Sequence, residues 1–146
     1  MNLVPARRRR RVAKIALVTI VSLGLLPCVL LAKKYTLQNA TIVPGATGQV
    51  KTGKDKNGNT KFSVEVKHLA KPSELTPPKS TYVIWIKQSG GAPESQGMLK
   101  VNDNLEGKFE SSTPNKVFDL WITAEGDPTA KAPDGPEVLR ANGVTR

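Results

Sequence analysis

Side chains suited to acid–base or nucleophilic chemistry are sparse in this 146-residue chain, and His68 is its only imidazole. An activated hydroxyl needs a base held beside it, usually His or Lys. Serine, threonine and aspartate are plentiful, but His68 follows Phe62, Val64 and Val66 in strand phase, where it reads as an edge-of-core or surface residue. A zinc centre normally takes about four Cys, His or carboxylate ligands, and the chain has one cysteine, Cys28, beside that one histidine. No glycine-rich phosphate loop occurs. The sequence therefore assigns no catalytic, cofactor-binding or metal-ligating residue, and the expectation is a protein that is not an enzyme and carries no cofactor.

Two polar stretches resemble cation loops without completing one. Asp55-Lys56-Asn57-Gly58-Asn59 places side-chain oxygens at alternate positions, but its glycine comes too early for a calcium loop and no closing glutamate follows. Asn57-Gly58 is the signature of a tight hairpin turn, and a turn is expected there. Asn102, Asp103, Asn104 and Glu106 are residue types that serve turns for conformational reasons. Trp85 and Trp121, the only tryptophans, lie in apolar strand-like stretches and are expected in the core rather than as ligand platforms.

The elements that would hold these residues are strands. Phe62, Val64 and Val66 alternate with Ser63, Glu65 and Lys67, the period of a half-buried strand. Tyr82-Val83-Ile84-Trp85-Ile86 is apolar on both phases and suits a central strand covered on both faces. Short strands are also expected at 98–101 and 107–112. A stretch at 117–123 should place Phe118, Leu120 and Ile122 in the core, and Val138-Leu139 is a candidate last edge strand. Pro72, Pro77 and Pro78 mark 71–79 as a loop, and Gly90, Gly91 and Pro93 mark another. No helical period follows Ala32. The expected fold is all-β, an immunoglobulin-like antiparallel sandwich of about seven strands.

The net charge of +10 is unevenly placed. Residues 1–34 hold eight basic residues and no acidic one, whereas the remainder has fourteen basic against twelve acidic. A nucleic-acid surface needs clustered cations; Lys51, Lys54, Lys56 and Lys61 alternate with polar residues, so no nucleic-acid partner is expected. Ile15 to Ala32 runs for 18 residues without a charge directly after a cluster containing Arg7 to Arg11. Such a run is a transmembrane helix or a signal peptide. Six basic residues precede it and Lys33 and Lys34 follow, which keeps the N-terminus in the cytoplasm. Ala32 suits a signal-peptidase site but Leu30 does not, so retention is favoured over cleavage and secretion to the periplasm. Pro27 weighs against lipid attachment at Cys28.

The second half carries a series of short motifs: Tyr82-Val83-Ile84-Trp85, Gly97-Met98-Leu99, Ile122-Thr123-Ala124-Glu125 and Pro133-Asp134-Gly135-Pro136-Glu137-Val138-Leu139. Over residues 82–139 this order resembles the C-terminal extracytoplasmic domain of anti-sigma-K factors. The resemblance implies an outer β-sandwich behind a single transmembrane helix. In that family a cytoplasmic sigma-binding domain precedes the helix, whereas the 14 residues before the run here cannot form one.

The expected organisation is a basic cytoplasmic region at 1–14, a membrane segment at 15–32, a tether at 33–45 and an extracytoplasmic domain at 46–146. The expected role is a non-catalytic module of the bacterial inner membrane that binds another envelope protein, senses or supports envelope structure. The alternative is a periplasmic module holding a sugar or peptide at the loops 71–79 and 89–96.

Overall fold

The computed structural model describes residues 32–40 and 42–146. The segment expected at 1–14 and, apart from Ala32, the one expected at 15–32 lie outside them, and no helix among the described residues is long and apolar enough to cross a membrane. Eight strands follow in order: β1 (Lys33–Asn39), β2 (Thr47–Lys54), β3 (Thr60–Lys67), β4 (Thr81–Lys87), β5 (Glu94–Leu99), β6 (Gly107–Thr113), β7 (Val117–Glu125) and β8 (Glu137–Thr145). The protein is all-β, as expected, with a single 3-10 turn at Pro72–Glu74 and no α-helix among the described residues.

All pairings are antiparallel, and the strand order is β5-β4-β7-β8-β1-β2-β3-β6. The sheet rolls on itself until its edges, β5 and β6, approach, and the Ser111 hydroxyl donates to Gln96 across the gap at 3.3 Å. Rolling brings Val50, Phe62, Val64 and Val66 of one half against Tyr82, Ile84, Ile86, Phe118, Leu120 and Ile122 of the other. The Phe62 and Phe118 rings meet at 5.6 Å between centroids. Each such side chain contributes roughly 1.5–3 kcal/mol by leaving water.

Three expectations need correction. Residues 33–39 belong to no tether: they form β1, paired with β2 along Lys33–Leu37 and with β8 at Gln38 and Asn39. Tyr35 and Leu37 point inward between exposed Lys34, Thr36 and Gln38, an alternation too short to stand out beside two lysines. The last strand is no brief edge pair. β8 runs over nine residues between β7 and β1, because Ala141 and Val144 return to the core after the polar Arg140 and Asn142-Gly143. The fifth strand begins at Glu94, earlier than the expected 98–101, since pairing with Trp85 and Ile86 extends it over polar residues.

The strands give the roll two ends. The near end carries Lys33, the Asp55–Asn59 turn, the β4–β5 loop, the β6–β7 loop and Arg146; the far end carries the β1–β2, β3–β4, β5–β6 and β7–β8 loops.

Candidate functional site

On the outer face of β4 and β7 a second apolar cluster of Val83, Trp85 and Trp121 is covered by Ala130 of the β7–β8 loop. β4 places Trp85 opposite Trp121, and the two faces of β4 are both apolar because the inward phase feeds the main core and the outward phase feeds this cluster. The indole N–H of Trp85 donates to the Thr123 hydroxyl at 2.8 Å, and that hydroxyl donates to the Glu125 carboxyl group. Glu125, only 2% exposed, also accepts the backbone N–H groups of Gly135 at 2.8 Å and Asp134 at 3.2 Å. A buried carboxyl group is tolerated only when its oxygens are occupied in this way. Gly135 lies so close to β7 that a Cβ there would stand 1.8 Å from the Ala124 carbonyl oxygen. Thr123-Ala124-Glu125 and Pro133-Asp134-Gly135-Pro136 are thus one clasp that folds a loop over Trp85.

Among the described residues, a broad depression lies at the near end. Two open hollows of about 620 and 390 Å³ share Lys87, Gln88, Ser89 and Asp119. Asn115, Lys116 and Val117 complete the larger, and Trp121 and Arg140 the smaller. Asp119 stands opposite Lys87 in the β4–β7 register and accepts the Gly143 N–H at 2.8 Å. The Arg140 guanidinium lies 4.8 Å from the Trp121 ring centroid, the distance of a cation–π contact. Glu137 grips the same guanidinium with both oxygens, which holds its pKa above the ordinary arginine value. The hollow offers a cation rim, one carboxylate and the edge of a stacked indole, suited to reversible recognition of polar groups.

The residues weighed from sequence fall as follows. His68 is exposed, with a left-handed backbone (φ 55°) in the turn after β3. Asp55 opens the β2–β3 hairpin: one oxygen accepts the Asn57 and Asn59 N–H groups, each at 2.8 Å, and the other accepts the Ser112 hydroxyl at 2.8 Å. Partial burial pushes the Asp55 pKa up, but the bonds from Ser112, Asn59 and Asn57 outweigh it, so the group lies below the usual aspartate value. Gly58 takes the positive φ of 85° that this turn requires. Asn102 closes a second turn, its side-chain oxygen accepting Asn104 N–H at 3.0 Å and Glu106 N–H at 2.9 Å. Trp85 is buried and Trp121 is 5% exposed, both within packed clusters.

The loops 71–79 and 89–96, paired in expectation as one ligand site, sit at opposite ends of the roll, because β4 alone separates them. Its seven residues span roughly 20 Å. No shared site joins them. Far-end loops are instead tied to one another: Lys71 bonds Asp103 at 2.6 Å, and the Tyr82 hydroxyl donates to the Ala70 carbonyl at 2.8 Å. Sequence reasoning missed Lys87, Asp119 and Arg140, whose juxtaposition depends on the β4–β7 and β7–β8 registers, the second of them shifted by bulges. The only sequence signal was an arginine in otherwise strand-like surroundings. No family model, curated protein or solved structure matches the chain.

Proposed function

We propose that this protein is a membrane-tethered, non-catalytic module of the bacterial cell envelope, held by residues 15–32 with the β domain outside the inner membrane, and that it binds another envelope protein. The observation that carries this reading is the placement of β1, whose first residue, Lys33, directly follows the uncharged run 15–32. The roll is then fixed to the bilayer at one end, with its far-end loops displayed away from the surface. Several polar side chains that could serve chemistry are engaged structurally: Asp55 in a hairpin, Glu125 and Thr123 in the loop clasp. The facing halves β5-β4-β7-β8 and β1-β2-β3-β6 support reading the roll as an immunoglobulin-like sandwich of the kind in the outer domain of anti-sigma-K factors.

The test uses the full chain in cells that express it natively, with a photo-crosslinking residue placed singly at Ser73, Asn104 or Thr129 of the far-end loops. A discrete protein adduct in the membrane fraction is expected from at least one position. Recovery of the chain from the soluble cytosol, or adducts from none of the three, overturns the reading.

A second reading, a sugar- or peptide-binding module, is favoured by the hollow between Lys87 and Arg140. It predicts that an acidic peptide or a disaccharide shifts the indole resonance of Trp121 and leaves that of Trp85 in place.

A further inference from the structure

We infer that the near end of the roll lies directly on anionic lipid headgroups, so that the domain is docked on the bilayer rather than suspended from it. Docking presupposes the proposed insertion of residues 15–32. Its own support comes from the charge and geometry of the folded part.

The near end is one level of the structure. Lys33 stands opposite Thr52, and Val117 opposite Thr145. The Lys33 ammonium donates to the Thr145 hydroxyl at 3.0 Å, and the Arg146 guanidinium donates to the Gly58 carbonyl at the hairpin tip. Counting loops and strand ends, this level holds six basic residues, Lys33, Lys54, Lys56, Lys87, Lys116 and Arg146, against two acidic ones, Asp55 and Glu94. Asp119 lies one step inward, opposite Lys87. The far end, over 39–47, 67–81, 99–107 and 125–137, holds five basic against seven acidic residues. A domain that is nearly neutral overall is therefore polarised along its strands.

The near-end cations are also available. Among the described residues, ion pairs use Lys51 and Lys61 on the flank, Lys67 and Lys71 toward the far end, and Arg140. Lys54, Lys56, Lys87 and Lys116 are exposed and enter none of these pairs. Asp55 is turned inward onto its own turn and Ser112. Val117, 53% exposed, adds an apolar contact at the same level. Attraction to anionic headgroups decays within a Debye length of about 8 Å at physiological salt. Because β1 starts right after the run and is bonded on both sides, no spacer carries these lysines beyond that range.

The test uses the full chain with Cys28→Ser, reconstituted in vesicles of phosphatidylcholine alone or with phosphatidylglycerol, and a single fluorophore at Asn57→Cys or Asn104→Cys read against a bilayer quencher. The near-end label should be quenched several-fold more than the far-end label in phosphatidylglycerol vesicles. High salt should release it, as should Lys54→Glu with Lys56→Glu and Lys116→Glu. The same charge change at the far end, Lys79→Glu with Lys100→Glu and Lys131→Glu, should leave the quenching intact. Quenching that ignores lipid charge, or that either triple variant abolishes equally, overturns docking. An alkaline wash separates the two readings. If the chain stays with the vesicles but the near-end contact is missing, docking fails and the anchor stands. If the chain is stripped off, the anchor fails and docking, which presupposes it, falls with it.

Discussion

Trp85 and Glu125 stand on neighbouring strands and are joined through one hydroxyl, that of Thr123, which accepts from the indole at 2.8 Å and donates to the carboxyl group. All three are buried. Thr123→Val keeps the shape but orphans the Trp85 indole and leaves Glu125 with the Asp134 and Gly135 N–H groups alone, and an unmet buried group costs about 1–3 kcal/mol. Denaturant unfolding should show a loss of roughly 2–4 kcal/mol, with Thr123→Ser recovering much of it. In a double-mutant cycle Trp85→Phe should cost less on the valine background. Additivity within about 0.5 kcal/mol would mean that the hydroxyl does not couple them.

The loop clasp makes a separate demand. A methyl group at Gly135 would meet the Ala124 carbonyl, and backbone cannot move aside cheaply. Gly135→Ala should destabilise by about 3 kcal/mol, at the upper end of overpacking costs, and lower Tm by roughly 10 °C or more. With Trp121→Phe leaving Trp85 as the only reporter, the same substitution should shift tryptophan emission to the red as the β7–β8 loop lifts. An unchanged spectrum and midpoint would show that the loop has another way to cover the indole.

The treatment of residues 33–39 as a strand rather than a tether is tested at Leu37, which is buried in the main core. Leu37→Ala should cost about 2–5 kcal/mol as a core truncation. A tether residue would cost under about 0.5 kcal/mol. The same measurement bears on membrane docking, since a loose 33–39 segment would give the domain slack.

Much of this architecture was legible where the pattern was strong. The Asn57-Gly58 hairpin, β3 and the doubly apolar β4 follow from local period and turn chemistry, and Phe118, Leu120 and Ile122 lie in the core as their alternation implied. What escaped depended on partners far along the chain. β1 has only Tyr35 and Leu37 to mark it and owes its place to β2 and β8 on either side. Arg140 reaches Trp121 only through a bulged register. Glu125 carries no local mark of burial, because the loop that buries it returns about ten positions later. The polar residues singled out at 55–59 and 102–106 were placed well because their bonds are local.

Asp55 predicts a pH effect in the acid range. Its folded pKa lies below the unfolded value of about 3.9. The group therefore contributes stability that is fully present above the unfolded value and is lost as pH falls through the folded one. Asp55→Asn should be less stable than the parent at neutral pH, with the gap narrowing as acid protonates Asp55. Carboxyl NMR should place the Asp55 midpoint below the unfolded-chain value, and Ser112→Ala should raise it. A gap independent of pH would remove the hairpin carboxylate from the account.

Tyr82 predicts the opposite limb. Its ring is wholly buried on β4, its hydroxyl donates to Ala70 at 2.8 Å, and burial together with nearby Glu74 pushes its pKa up to about 12. The unfolded phenol ionises near pH 10. The fold thus favours the protonated form: the contribution of Tyr82 is complete below about pH 10 and drains away as pH rises through the folded value. Tyr82→Phe should cost about 1 kcal/mol at neutral pH for the lost hydrogen bond. It should nevertheless lose less stability than the parent as pH rises from 10 toward 12. Phenolate absorbance should show one tyrosine titrating late in the folded parent and missing from the variant. If parent and variant lose stability in parallel over that range, the phenol is not held as described, and the tie between β4 and the β3–β4 loop must rest on packing alone.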